Sequence, residues 1–219
     1  MQIHTIEART HGRYLVDRPD GDGPFPVLVG FHGYSEGAER MLEELRRIRG
    51  ERRWILVSIQ ALNRFYSRAS TVVAGWMTRE DRELAIDDNL RYVRSVVARV
   101  RETYPVSNQL VYAGFSQGVA MAYRAAAFVA NGEVPRPGGV ILLAGDVPPD
   151  VLPVLPQLPA VLLGWGTEDH WYTEPKAAVD AEHFRAAGVA PQTHIFSGGH
   201  VWDESFVARA GLFLDSLAS

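Results

Sequence analysis

Short, nearly unbroken apolar runs recur along the chain, with segments between them in which apolar residues come at helical spacing. Residues 27–31, 54–59, 110–113, 140–143 and 160–163 are five such runs of four to six residues, and 193–196 adds a sixth. Continuous rather than alternating apolar runs predict parallel strands covered on both faces. From Ile86, apolar residues recur at Leu90, Val93, Val97 and Val100, in steps of four and three that mark one face of an α-helix. Thr78 and Asp81 predict a capping box at its start. Further helices are predicted over the alanine-rich 117–129, over 175–187 up to Gly188, and over 203–217. The basic run from Arg46 to Arg53, interleaved with Glu43, Glu44 and Glu51, reads as a solvated helix face and its end. Residues 3–19 predict an antiparallel hairpin at the sheet edge with Gly12 in its turn.

Alternating strands and helices predict a doubly wound α/β fold, and 219 residues suit a single domain. Seven of the 13 prolines fall between Pro135 and Pro159, which reads as two loops flanking one strand rather than a linker. A chain of this length buries roughly 70% of the surface its unfolded form exposes, so it requires no covalent staple. None is on offer, since there are no cysteines, which also excludes thiolate metal sites and a cysteine nucleophile. The net charge of −4, with both signs mixed along the chain, argues against nucleic acid as a partner. The first ten residues lack the positive start and apolar core of a secretory leader. No apolar stretch approaches the ~20 residues that cross a bilayer. The longest, 151–165, is broken by Pro153, Pro156 and Pro159. The expectation is a soluble, cytoplasmic protein, monomeric or homodimeric, acting on a small molecule.

The chemistry centres on Gly114-Phe115-Ser116-Gln117-Gly118, set between an apolar strand and an alanine-rich helix. This is the setting of a nucleophile elbow, in which a serine sits on a tight strand-to-helix turn. The strand and helix pass so close that small residues are required two positions before and after it, and Gly114 and Gly118 supply them. The helix N-terminus directs free N–H groups and its positive dipole end toward Ser116. The plainer alternative is a strand-to-helix turn with a serine cap.

A serine hydroxyl needs a neighbouring base. Of the seven histidines, His200 follows the last strand in Ser197-Gly198-Gly199-His200, where glycines let the loop fold back over the sheet's C-terminal edge. His4 and His11 fall in the edge hairpin, His183 on a helix and His194 in a strand; His170 is the rival. The orienting acid should follow a strand and precede the histidine. Asp169 does so, with Asp146 and Glu168 as alternatives. Oxyanion donors are expected from the backbone N–H of Gln117 and, in Phe31-His32-Gly33-Tyr34, from that of Tyr34. His32 reads as a brace for that loop rather than a metal ligand, because no second ligand lies at metal spacing; no metal site is expected.

These residues resemble the phospholipase/carboxylesterase family of α/β hydrolases, which includes bacterial carboxylesterases and acyl-protein thioesterases. The resemblance runs from Val27 to the C-terminus and rests on Phe31-His32-Gly33, the Gly-Phe-Ser-Gln-Gly elbow, Gly164 to Asp169 and Gly199-His200. It implies an α/β-hydrolase fold, with a mostly parallel central sheet and helices on both faces. It also implies cleavage of carboxylic esters or thioesters without a cofactor, and Ser116, Asp169 and His200 as the triad. Trp76 takes the place of a tryptophan that many members have before the long helix. Val119 stands where a further glycine is common, Ser35 and Glu36 where an aspartate is usual, and Met77 and Thr78 where an aromatic and an aspartate follow the tryptophan. These departures spare the triad and bear on the substrate.

Aromatic residues gather around the motifs: Tyr34, Phe65, Tyr66, Trp76, Trp165, Trp171, Tyr172 and Trp202. Phe65, Tyr66 and Trp76 lie in or beside the long loop after 54–59, and such loops are often functional. An apolar, aromatic-lined pocket for an acyl or aryl group is expected, with Phe65, Tyr66, Trp76, Trp171 and Trp202 touching substrate. Arg64, Arg68 and Arg79 are candidate partners for a carboxylate or phosphate, against simple solvation. The same scaffold also serves acyltransferases, peptidases and non-catalytic receptor-like binders. The intact Ser-Asp-His set favours the esterase over the last.

Overall fold

A computed structural model describes residues 1–128 and 134–217. Its elements run β1 (Arg13–Asp17), β2 (Phe25–Phe31), α1 (Ala38–Arg49), β3 (Ile55–Gln60), β4 (Asn63–Tyr66), β5 (Val72–Gly75), α2 (Arg82–Thr103), β6 (Val106–Phe115), α3 (Gln117–Ala127), β7 (Gly139–Leu143), β8 (Ala160–Gly166), α4 (Glu174–Ala186), β9 (Gln192–Phe196) and α5 (Glu204–Leu217). A short 3₁₀ helix, Leu152–Gln157, lies between β7 and β8. Seven strands form one sheet in the order β1-β3-β2-β6-β7-β8-β9, parallel throughout except for β1 against β3. The end predicted for the alanine-rich helix at Val129 lies outside the described residues.

The continuous apolar runs are explained by burial on both faces. Val27, Val29 and Phe31 of β2 face a core with Val93 and Val97 of α2 and Tyr123 of α3. The intervening Leu28 faces the other core, with Leu45 of α1 and Phe206 and Phe213 of α5. Each such side chain, fully buried, contributes roughly 1.5–3 kcal/mol. Helices therefore cover the sheet on both sides. Among the described residues no helix is long and apolar enough to cross a membrane.

Four local expectations are corrected. Residues 1–12 form no strand, so the predicted hairpin is replaced by β1 alone. Ile3 and Ile6 are both exposed, and a spacing of three cannot place two side chains on one face of a strand. Gly12 makes no turn; it lies against the Tyr92 ring, where a Cβ would come within 2.0 Å of a ring carbon. The charged run around Arg46 ends a helix that begins at Ala38 and buries Met41, Leu42, Leu45 and Ile48. Glu44 within it is buried between Arg40 and Arg47 rather than solvated. Asp81, not Thr78, precedes α2; it has left-handed backbone (φ 46°) and its side chain caps nothing. Lastly, the long loop after β3 contains an antiparallel ribbon, β4 with β5.

The segment after β7 is fastened from two sides. Arg124 of α3, fully buried, grips both carboxylate oxygens of Asp150 at 2.8 Å. Asp180 of α4 accepts the Val147 N–H at 3.1 Å and the Tyr172 hydroxyl at 2.8 Å. Asp150→Ala strands a buried guanidinium and should cost about 2–3 kcal/mol, less than a wholly buried pair because Asp150 is partly exposed. Hydrogen bonding to Arg124 holds the Asp150 carboxyl below its usual range. That stabilisation is present at neutral pH and is lost as pH falls through the lowered value, below about pH 4. Urea titrations of wild type and Asp150→Ala at pH 7 and toward pH 3 should show the difference shrink with acidification.

Candidate active site

The candidate residues come from the carboxyl ends of neighbouring strands, where doubly wound sheets form their crevices. Ser116 follows β6, Gly145 follows β7, Asp169 follows β8, His200 follows β9 and the His32–Tyr34 loop follows β2.

The turn at Ser116 is shaped by close approach. In the sheet register Gly114 lies beside Phe31 of β2. A Cβ on Gly118 would sit 2.1 Å from the Phe31 carbonyl oxygen, and one on Gly114 would sit 2.4 Å from the carbonyl oxygen of Gly118. Neither position admits a side chain without moving backbone. Ser116 itself adopts φ 52°, ψ −120°, a conformation that costs an L-residue on the order of 1–3 kcal/mol. The surroundings hold it there: its N–H donates to the Leu143 carbonyl at 3.0 Å, and its own carbonyl accepts the Val119 N–H at 3.0 Å.

Asp169 and His200 meet through a second close approach. A Cβ on Gly166 would lie 2.1 Å from the Gly198 carbonyl oxygen, and the Glu168 N–H donates to that same oxygen at 2.8 Å. This brings the loop after β9 onto the turn after β8. One carboxylate oxygen of Asp169 accepts the N–H groups of Trp171 at 2.7 Å and Tyr172 at 2.9 Å. The other lies 2.7 Å from Nδ1 of His200. A carboxylate only accepts, so Nδ1 carries the proton and Nε2 presents a lone pair. The His200 ring rests on Phe115, 4.8 Å between centroids.

Among the described residues the other candidate acids make no hydrogen bond to His200. Asp146 is exposed and pairs with Lys176 at 3.2 Å. Glu168, His170, His4 and His11 are exposed. His183 neighbours Asp180, and His194 meets the Ser205 hydroxyl.

The loop after β2 is locked in place. His32 is buried; its Nδ1 donates to the Gly33 carbonyl at 2.7 Å and its Nε2 accepts the Ala61 N–H at 3.0 Å. Burial pushes the imidazole pKa down, which suits a neutral ring that accepts at Nε2. Glu36 accepts the Gly33 N–H at 2.7 Å, and burial pushes its carboxyl pKa up. Sequence reasoning noted Glu36 as a departure and gave it no role. Its spacing of three from Gly33 was the available signal. The Gln117 side chain joins this assembly, accepting the Trp76 N–H at 2.8 Å and donating to the Met77 carbonyl at 3.0 Å. Its backbone N–H is the first of α3, which by position has no partner within the helix.

The aromatic pocket is redrawn. A cleft of about 400 Å³ holds Ser116, Gln117 and His200, and of the expected aromatic residues Trp171 and Tyr172 line it. Ala120, Ala144, Pro148 and Pro149 add small or proline surface to its walls, and Arg82, Asp146 and Lys176 add charge. Trp76 is instead fully buried, with its indole N–H on the His32 carbonyl at 2.8 Å. Trp202 is buried against Phe115 and Phe206. Phe65 stacks on Tyr34 at 5.3 Å between centroids, and Tyr66 points to solvent from the ribbon. Large rings gain most from full burial, which is why two indoles sit in the core. Arg64, Arg68 and Arg79 are not among the lining residues; Arg82 is.

No family model matches the sequence, and no curated protein matches it. Solved structures do. Zea mays acyl-protein thioesterase 2 superposes with a TM-score of 0.70 at 18% identity, over 95% of this chain and 100% of that one. A Bacillus cereus carboxylesterase gives 0.73 at 16%, over 94% of each. The chain has the α/β-hydrolase fold. YahD, solved with malic acid, shares it at a TM-score of 0.68 and 15% identity, over 94% of this chain and 100% of that one. This is the fold that the strand pattern and the Gly-Phe-Ser-Gln-Gly run predict.

Within this α/β-hydrolase fold the glycines differ sharply in what they permit. Gly118→Ala should destabilise by at least about 3 kcal/mol, because its Cβ meets backbone. Gly188, at φ +68° with nothing within 4 Å, provides the control. Gly188→Ala should cost only about 1–2 kcal/mol of left-handed strain. Urea denaturation of the two variants measures the contrast, and equal losses would contradict the close approach at Phe31.

Proposed function

We propose that the chain is a carboxylesterase-type serine hydrolase that cleaves carboxylic esters or thioesters through an acyl-enzyme on Ser116. The observation that carries this reading is the 2.7 Å contact of Asp169 with His200, which lines the same cleft as Ser116 on its strained turn.

This reading implies the following steps. Nε2 of His200 takes the Ser116 proton as Oγ attacks the substrate's acyl carbon. The carbonyl electrons move onto oxygen, and the backbone N–H groups of Gln117 and Tyr34 receive the negative charge. One such donor is typically worth ~3–4 kcal/mol in the transition state. When the tetrahedral intermediate collapses, the alcohol or thiol leaves with the proton held by His200, and the acyl group stays on Ser116. Water then attacks the acyl carbon, giving one proton to His200 and its hydroxyl to the acid product. Ser116 leaves and recovers its proton. Asp169 keeps the imidazole tautomer fixed and stabilises the imidazolium; its second oxygen, held by the Trp171 and Tyr172 amides, keeps the carboxylate in place.

A fluorophosphonate probe should label Ser116, located by mass spectrometry of the digested protein. Ser116→Ala should abolish labelling and lower kcat on p-nitrophenyl esters by a factor on the order of 10⁴ or more. Asp169→Asn should lower kcat by a factor on the order of 10⁴ with the backbone unchanged. An unlabelled wild-type protein, or near-normal turnover by Ser116→Ala, would sink the assignment.

A further inference from the structure

Three fixed-charge side chains line the cleft at Ser116: Arg82, Asp146 and Lys176. Two of them are occupied with each other. The Lys176 ammonium lies 3.2 Å from Asp146 and also donates to the Trp171 carbonyl at 2.9 Å. Among the described residues Arg82, which is exposed, takes part in no salt bridge and no side-chain hydrogen bond. The carboxylate of Asp150 is held at both oxygens by Arg124 at 2.8 Å. The lining of the cleft thus carries one uncompensated positive charge, in a chain whose net charge is −4.

Arg82 also does its own helix no service. It opens α2, where the backbone's unpaired N–H groups already gather positive charge and a cation is disfavoured. A guanidinium offers several N–H donors in a planar fork matched to a carboxylate, and Arg82 is among the residues that line the cleft beside Ser116.

We infer that substrates of this site carry a carboxylate, or a similar anionic group, which Arg82 binds while the ester or thioester lies at Ser116. The inference rests on the hydrolase reading and narrows it. The apolar acyl or aryl group expected from the aromatic residues gives way to an acid-bearing one. Trp171, Pro148 and Pro149 cover its hydrocarbon part. The anionic group belongs either to the acyl chain or to the leaving group, and the two are separable by experiment.

The acyl-side arm compares p-nitrophenyl hemiglutarate, hemiadipate and hemisuberate with their neutral methyl esters. The leaving-group arm compares 4-carboxyphenyl butyrate with 4-(methoxycarbonyl)phenyl butyrate. The quantity read is the ratio of kcat/KM for the acid to that for its neutral counterpart, in wild type, Arg82→Gln and Arg82→Lys. Differences in intrinsic reactivity cancel between proteins. In at least one arm, Arg82→Gln should lower the ratio about tenfold, chiefly through KM. Arg82→Lys should keep most of it, and added salt should shrink it in wild type. Circular dichroism and thermal melts establish that each variant is folded. A ratio that Arg82→Gln leaves within twofold in both arms overturns the inference, while turnover of the neutral esters leaves the hydrolase reading standing. If wild type neither turns over the neutral esters nor reacts with fluorophosphonate, the hydrolase reading fails first.

Discussion

The carbonyl of Phe31 and the Cα of Gly118 are separated by a gap too small for a methyl group, and the arrangement of the site depends on that contact. It seats the first turn of α3 on the end of β2, with β6 fixed between them by the pairing of Phe31 with Gly114. Two consequences follow together. The chain is forced through the unfavourable backbone conformation at Ser116. The loop that leaves β2 also starts beside the first turn of α3, with the His32 carbonyl oxygen 2.7 Å from where a Cβ on Gly118 would sit. Cores this dense transmit such constraints because they contain little space to relax into.

The remaining parts are placed by repeating the same device. Gly166 lets the loop after β9 cross the end of β8, and His200 thereby reaches Asp169. Polar groups then set the details that packing leaves open. His32, Glu36 and Gln117 each spend their side-chain hydrogen bonds on backbone, stiffening the loop after β2 and the segment at Trp76 and Met77. The wall after β7 is held by the Arg124 pair with the Asp150 carboxylate and by Asp180, which accepts the Val147 N–H. The side chains lining the cleft are thus backed by buried polar contacts that fix the backbone carrying them.

The sheet was legible in the sequence because burial on both faces leaves a local trace, an apolar run such as 140–143 with no polar interruption. The elbow was legible for a related reason: close approach demands glycine, and glycine at 114 and 118 is visible without any knowledge of what approaches. The sequence put Asp169 ahead of Asp146 and Glu168 by position alone, and the hydrogen bonding around the three was not legible. All three follow apolar strands, and what separates them is the turn that aims the Trp171 and Tyr172 amides at Asp169. The substrate wall was misread for a similar reason. Indoles near a motif in sequence are drawn to whichever surface buries them most fully, and for Trp76 and Trp202 that surface is the core. The β4–β5 ribbon escaped notice because its residues are largely exposed and carry little hydrophobic pattern.

The position of Trp171 has a practical side. Of the five tryptophans it is the one left open to solvent, at 74% exposure, while Trp54, Trp76 and Trp202 are buried and Trp165 is half-buried. It also stands on the rim of the cleft that holds Ser116. Its indole therefore emits from water when the cleft is empty and loses that water when a molecule settles against it. The protein carries its own fluorescent gauge of occupancy, read at long wavelength against three buried rings and one half-buried one and needing no attached dye.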